Sequence, residues 1–330
     1  MKVGLIGAGR IGAIHANNLS RHPDVSAIVI TDVFPASSER VASAVGGTVA
    51  TDTNELLESV DAVVICTPAD MHVEEIELAV SHGVPALCEK PIAMNLADAD
   101  RAVATVAASN VQVQMGFNRR YDPGYRAARD LVADGSLGTL TLIVGQHHDY
   151  ELPSEQYIEH SGGEFRDQLI HEFDILRFIT GREVVQVHAA GSTKGFDWFK
   201  KFGDYAQSVV TLWLDDGTLA ALCGSRQDPV GYDVRMEVFG TKDSIAIGLD
   251  PRTPLRSVEP GVPPPSDPYT EWIPRFGGTY ESEMNAFISM VKDGGQAECS
   301  VQDARSALVI AEACTLSARE GRIVTTEEVT

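Results

Sequence analysis

Positive charge is scarce in this sequence: its 330 residues carry 26 Lys and Arg against 47 Asp and Glu, a formal net charge of −21. That balance excludes a nucleic-acid binder that tracks phosphates and a protein that docks on anionic membranes, because both need clustered positive potential. Cysteine is sparse as well. The five cysteines, Cys66, Cys88, Cys223, Cys299 and Cys314, are scattered, odd in number and without CxxC spacing. A disulfide framework and a thiolate zinc site are both excluded, and a reducing, cytoplasmic setting is expected. Long apolar runs are missing too, none approaching the ~18 residues of a membrane span. The short run Val3 to Ile6 is cut off by Gly7, Gly9 and Gly12, so an export signal is not expected. What is present is an ordinary globular composition, in a chain long enough for two domains of roughly 100 to 200 residues.

Up to about residue 118, short apolar runs alternate with helical stretches: KVGLIGA, SAIVITD, AVVICTP, PALCEKP and VQVQMGF are separated by segments such as SSERVASAV and HVEEIELAVSHG. Strands that are apolar throughout suit a parallel sheet covered on both faces, so 1–118 reads as a doubly wound α/β domain of the Rossmann type. From 119 to 330 the texture changes. A helix is expected around Gly124 to Ala133, a strand around Thr139 to Gln146 and a helix over Phe165 to Thr180. Successive strands then follow (VVQVHAAGS, YAQSVVTLWL, LAALCGSRQ, YDVRMEVFG, SIAIGLD), with DDGT and GTKD as turns, before helices at Tyr280 to Val291 and Val301 to Glu320. Consecutive strands joined by tight turns predict an α+β domain on a large, mostly antiparallel sheet. Glu259 to Pro268 holds five prolines in ten residues and reads as a stiff surface connection.

Gly7-Ala8-Gly9-Arg10-Ile11-Gly12 follows an apolar strand and opens a helix. Glycines so spaced allow a tight turn, close approach to a pyrophosphate and close helix–strand packing. Asp32 ends the second strand about 20 residues further on, where a carboxylate accepts ribose hydroxyls. With Val33 next to it and no adjacent arginine, NAD is favoured over NADP. Thr67-Pro68 with His72, and Cys88-Glu89-Lys90-Pro91, end two further strands at the same edge of the sheet. Glu89 and Lys90 form either an exposed loop ion pair or a lysine that reaches the reacting centre.

If Phe165 to Thr180 is one helix, Asp167, His171 and Asp174 share a face, with Leu169, Phe173 and Leu176 roughly opposite. An Asp–His pair at that spacing holds an imidazole for general-base work, although the pattern equally suits a solvated polar face. Metal binding is not expected. HEFD is not HExxH, and His147 and His148 point different ways on a strand.

The motifs GAGRIG, TPADMH, CEKP, GFNRRYDPGY, SGGEFRDQLIHEFD, GYDVRMEVFGTKDSI and RFGGTYESEMNAF together resemble the glucose-fructose oxidoreductase, inositol dehydrogenase and rhizopine catabolism family (Gfo/Idh/MocA) over nearly the whole chain. Within it the inositol 2-dehydrogenase branch is the most similar. The resemblance implies a catalytic Lys90, Asp167 and His171, cofactor contacts along Gly7 to Gly12 and at Asp32, Thr67, Pro68, His72, Glu89 and Lys90, and substrate contacts at Arg119, Asp149 and Tyr232. It also implies a homodimer or homotetramer built on the open sheet face. The expected reaction is NAD-dependent oxidation of a ring hydroxyl of a cyclitol such as myo-inositol. Oxidation of an aldose at C1 or C3, and transient oxidation during glycoside processing, are the alternatives within the family. The sequence departs from the pattern at Gln146-His147-His148-Asp149-Tyr150, where inositol dehydrogenases commonly carry arginine, then Asn or Asp, then proline; substrate identity is open there.

Overall fold

The computed structural model describes residues 1–330 and divides into two compact units, 1–118 with 278–306 and 119–277 with 307–330. In the first unit, six parallel strands are β1 (Lys2–Ile6), β2 (Ala27–Thr31), β3 (Thr48–Val49), β4 (Ala62–Ile65), β5 (Ala86–Glu89) and β6 (Val113–Gly116), in the order β3-β2-β1-β4-β5-β6. Four of the five residues of β1 and all four of β4, β5 and β6 are buried, as strands covered on both faces must be. The strand order changes direction between β1 and β4, the place where a doubly wound fold leaves its binding crevice. The connecting helices are α1 (Arg10–Arg21), α2 (Pro35–Val45), α3 (Thr53–Leu57), α4 (His72–Ser81) and α5 (Leu96–Ala107). Asp52 and Asn95 cap α3 and α5 by accepting backbone N–H bonds from Glu55 and Asp98.

The second unit holds α6 (Pro123–Ala133), β7 (Leu140–His148), α7 (Glu155–Ser161), α8 (Glu164–Asp167) and α9 (Ile170–Thr180). Strands β8 (Val184–Ser192), β9 (Gln207–Leu214), β10 (Leu219–Ser225), β11 (Asp233–Gly240), β12 (Ser244–Ile247) and β13 (Val324–Thr325) complete a seven-stranded sheet in the order β12-β11-β7-β10-β9-β8-β13. Every pairing is antiparallel except β7 with β10. Alternation along the strands puts Ile143, Gly145 and His147 on the buried face, with Leu142, Val209 and Leu219 on the open one.

Two long helices close the chain, α10 (Trp272–Asp293) and α11 (Val301–Glu320). Sequence reading assigns all of 119–330 to the second domain, but 278–306 packs with the first unit. The cause is apolar burial. Met284, Phe287, Ile288 and Met290 join Val3, Leu5, Ala16 and Leu19 in one core, and each such side chain contributes ~1.5–3 kcal/mol on burial. The Phe165 to Thr180 helix is also corrected: it is two helices, broken at Gln168 and Leu169. The Pro-rich segment adopts no regular element, and no helix is long and apolar enough to cross a membrane.

Candidate active site

At the end of β1 two of the three glycines, Gly7 and Gly12, are sterically required. Gly7 has φ +92°, and a methyl group there would sit 2.6 Å from the Cys66 carbonyl carbon; one on Gly12 would sit 2.1 Å from Gly7 O. Gly9 instead faces open space, caps α1 with no side-chain hydrogen bond, and is followed by a first turn without an acid. The positive end of α1 is thus left for an anion, which matters in a chain of net charge −21. Asp32 Oδ2 accepts from Ala8 N–H at 2.6 Å and Oδ1 from Phe34 N–H at 2.8 Å, and each oxygen keeps a lone pair for a ribose hydroxyl. Arg40 on α2 donates to Ala8 O at 2.9 Å, so a guanidinium does stand near this loop, though not beside Asp32 in the chain. Thr67 Oγ1, beyond β4, is buried without a hydrogen-bond partner. This donor set fits a dinucleotide. Arg10 and Pro68 are exposed and Ile11 is half-buried around it.

Lys90 stands half-buried at the end of β5, but Glu89 does not form the exposed pair with it. Glu89 is 7% exposed and turned inward, its Oε1 2.7 Å from His15 Nε2. His72 is likewise buried, clamped between Pro91 O at 2.7 Å and Thr67 O at 2.9 Å, with burial holding its pKa below the ordinary value against those two carbonyls. It ties the two loops together rather than presenting a ring to a ligand.

In the second unit the residues expected from the sequence fall into two joined networks. Asp167 on α8 accepts from Tyr157 Oη at 2.7 Å and from Arg226 Nη1 at 2.7 Å. Arg226, buried, also faces Glu164 Oε2 at 2.9 Å and Asp204 Oδ2 at 3.8 Å. Burial pushes the Glu164 carboxyl up to about 7 although Arg226 pulls it down. His171 lies in the first turn of α9, half-buried on a helix whose other members are mostly buried. The solvated face is therefore absent: Asp174 is 0% exposed and bidentate to Arg120 at 2.8 and 2.6 Å.

Arg119, expected at the substrate, is committed to Glu172, whose Oε1 takes its Nη1 bond. Glu172 Oε2 also faces His147 Nδ1 at 3.1 Å, while His147 Nε2 lies 3.5 Å from Asp149 Oδ1 and 3.4 Å from Tyr232 Oη. Asp149 receives Gln168 Nε2 at 2.6 Å. His147 is 6.4 Å from His171, ring centre to ring centre. The structure thus brings Arg119, Asp149 and Tyr232 around His147, with Gln168 linking Asp149 to the Asp167 helix. Lys90 belongs to the other unit. Sequence reading missed Glu172, His147, Tyr157 and Arg226. Of these, Glu172 stands in the same motif as His171, between it and Phe173.

Burial disfavours charge on His147, but the Glu172 carboxylate and the bond to Asp149 more than offset it, and the net pKa is raised. A histidine raised on folding stabilises the protein fully below its unfolded pKa near 6.5 and loses that contribution as pH rises through the folded value. Thermal melting of His147→Gln against the parent is expected to show a deficit near pH 6 that closes on the alkaline side. A deficit that grows with pH would contradict the charged assignment.

A family model described as "Oxidoreductase family, NAD-binding Rossmann fold" matches residues 1–117, and one described as the GFO/IDH/MocA C-terminal domain matches 125–246. An inositol 2-dehydrogenase of Rhizobium meliloti is 35% identical over 329 residues, 98% of each chain. A probable dehydrogenase from Thermotoga maritima superposes with TM-score 0.94 at 34% identity, covering 100% of both chains. The scyllo-inositol dehydrogenase of Lactobacillus casei, solved with NAD(H) and scyllo-inositol, gives TM-score 0.91 at 29% identity over 99% of each.

Proposed function

The chain belongs to the GFO/IDH/MocA oxidoreductase family, and from that premise we propose that it oxidises a ring hydroxyl of a cyclitol such as myo-inositol to the ketone, with NAD as acceptor. The observation that carries the reading is the full-length similarity to inositol 2-dehydrogenases, joined to the presence of Lys90, Asp167 and His171.

Gly7 to Gly12 and Asp32 would hold NAD, which would supply the acceptor for the hydride leaving the carbinol carbon. His171 takes the hydroxyl proton as general base. Asp167, fixed by Tyr157 and Arg226, sets the charge beside that base. Lys90 stabilises the developing alkoxide as a preorganised cation. Asp149 and Tyr232 fix further hydroxyls, and Arg119 acts one step back by holding Glu172 and His147. A substrate rich in neutral hydroxyls suits a chain of net charge −21 better than an anion does.

A panel of inositol isomers and aldoses, assayed for NADH formation with NADP in parallel, tests the reading. Turnover of an inositol with NAD is the expected result. Activity on aldoses alone, or product formed without net NADH, would replace it with sugar oxidation or with transient oxidation in glycoside processing; a preference for NADP would overturn the role of Asp32 and bring Arg40 forward. The open sheet face, with Leu142 38% and Val209 55% exposed, supports a homodimer or homotetramer, and the five unbridged cysteines support a cytoplasmic location.

A further inference from the structure

Behind Lys90, three ionisable side chains meet in the interior of the first unit. His15 from α1 and Glu283 from α10 are 0% exposed and Glu89 from β5 is 7% exposed, with one ligand-capable atom of each within 4.8 Å of the others. Glu89 is the hub. Its Oε1 pairs with His15 Nε2 at 2.7 Å, and its Oε2 accepts the main-chain N–H of Lys90 at 3.3 Å. The sequence makes room for this inward turn, since a methyl group on Gly116 of β6 would lie 3.0 Å from Glu89 Oε2. Neither carboxyl oxygen of Glu283 has a hydrogen-bond partner, and the nearby imidazole of His15 directs its Nε2 to Glu89 instead.

We propose that Glu89, His15 and Glu283 form a proton-holding cluster in which Glu283 is a neutral carboxylic acid and the Glu89–His15 pair fixes the main chain of Lys90. Two buried carboxylates this close cannot both stay ionised without a cation. The 2.7 Å separation of Nε2 and Oε1 is that of a hydrogen bond, with a proton between the two atoms. The other titratable groups facing the cluster include Tyr280, whose ring packs edge-on against His15 at 5.8 Å, and Cys66 and Cys88, buried thiols raised by burial and by Glu89; none of the three supplies a positive charge. Burial and Glu89 act in the same direction on Glu283. Glu89 and Gly116 are then positioning residues for Lys90, which rests on the catalytic role given to that lysine above.

Infrared difference spectroscopy of Glu283→Gln against the parent, at neutral pH, tests the protonation. The parent is expected to carry a carboxylic-acid carbonyl band that the variant lacks; bands from other buried acids such as Glu75 and Glu164 cancel. Absence of that band, or one equivalent of divalent metal in the purified parent, would overturn the cluster. Neither measurement needs a substrate, so both stand if the cyclitol reading fails. With an accepted substrate, Glu89→Gln and Gly116→Ala are each expected to lower kcat on the order of 10²-fold while NAD affinity stays parental, the cost of a slightly misplaced catalytic group. Unchanged kcat, or an equal loss of NAD affinity, would overturn the positioning role.

Discussion

His171→Ala is expected to lower turnover of the accepted polyol by ~10²–10⁴-fold, and Lys90→Met by ~10²–10³-fold, with NAD binding retained in both. Along α9 the residues Ile170, Glu172, Phe173, Asp174, Ile175 and Leu176 are buried, whereas His171 is only half-buried. Lys90 is also half-buried, and its main-chain N–H donates to Glu89 Oε2. Truncating either removes a proton acceptor or a cation from the reaction and little from the fold. NADH formation at saturating substrate, with NAD affinity measured separately, checks both. Undiminished turnover in either variant would remove that residue from the chemistry.

The parts of this protein that could be read from its sequence are those in which a local pattern carries the whole physical requirement. Runs such as AVVI are buried on both faces, and at Gly7 and Gly12 any side chain would collide with backbone atoms. The rest depends on what meets what across the chain. Strand alternation states that His147 and His148 point opposite ways, but not which of them enters the core; that is decided by Glu172, waiting on α9. Glu89 reads as a surface residue because it adjoins Lys90, yet its partners are His15 and Glu283 from distant segments. Nothing near Arg119 in the sequence shows that Glu172 takes its guanidinium. The membership of α10 in the first unit was hidden for the same reason, since amphipathic helices do not name the core they join.

Arg226→Met is expected to be the most destabilising single change, by ~3–5 kcal/mol, because it strips the cation from a buried site that keeps its acids. Arg226 is 2% exposed and is shared by Glu164, Asp167 and Asp204, while Asp204 Oδ1 is already engaged by Glu164 N–H at 2.8 Å. The site cannot relax by admitting another side chain. A methyl group on Gly224 would stand 2.0 Å from Glu164 Oε1, so the sheet lies directly against the carboxyl. At roughly 2–4 °C per kcal/mol, the melting temperature should fall by on the order of 10 °C. The loss should also depend on pH in a defined direction. Glu164 titrates at about 7 with Arg226 in place, and without that cation the pull that lowers it is gone. An acid raised on folding binds its proton more tightly in the native state, so its contribution declines as pH rises from the ordinary carboxyl range to the folded value. The variant's deficit is therefore smallest on the acid side of 7, where Glu164 is neutral, and largest above it. Adding Glu164→Gln to Arg226→Met should recover part of the melting temperature at pH 8, since one unpaired charge is removed without a change of shape. Turnover should not recover with it, because Asp167 still lacks the guanidinium that holds its Oδ2. A melting temperature within about a degree of the parent's would show that the three acids do not depend on Arg226.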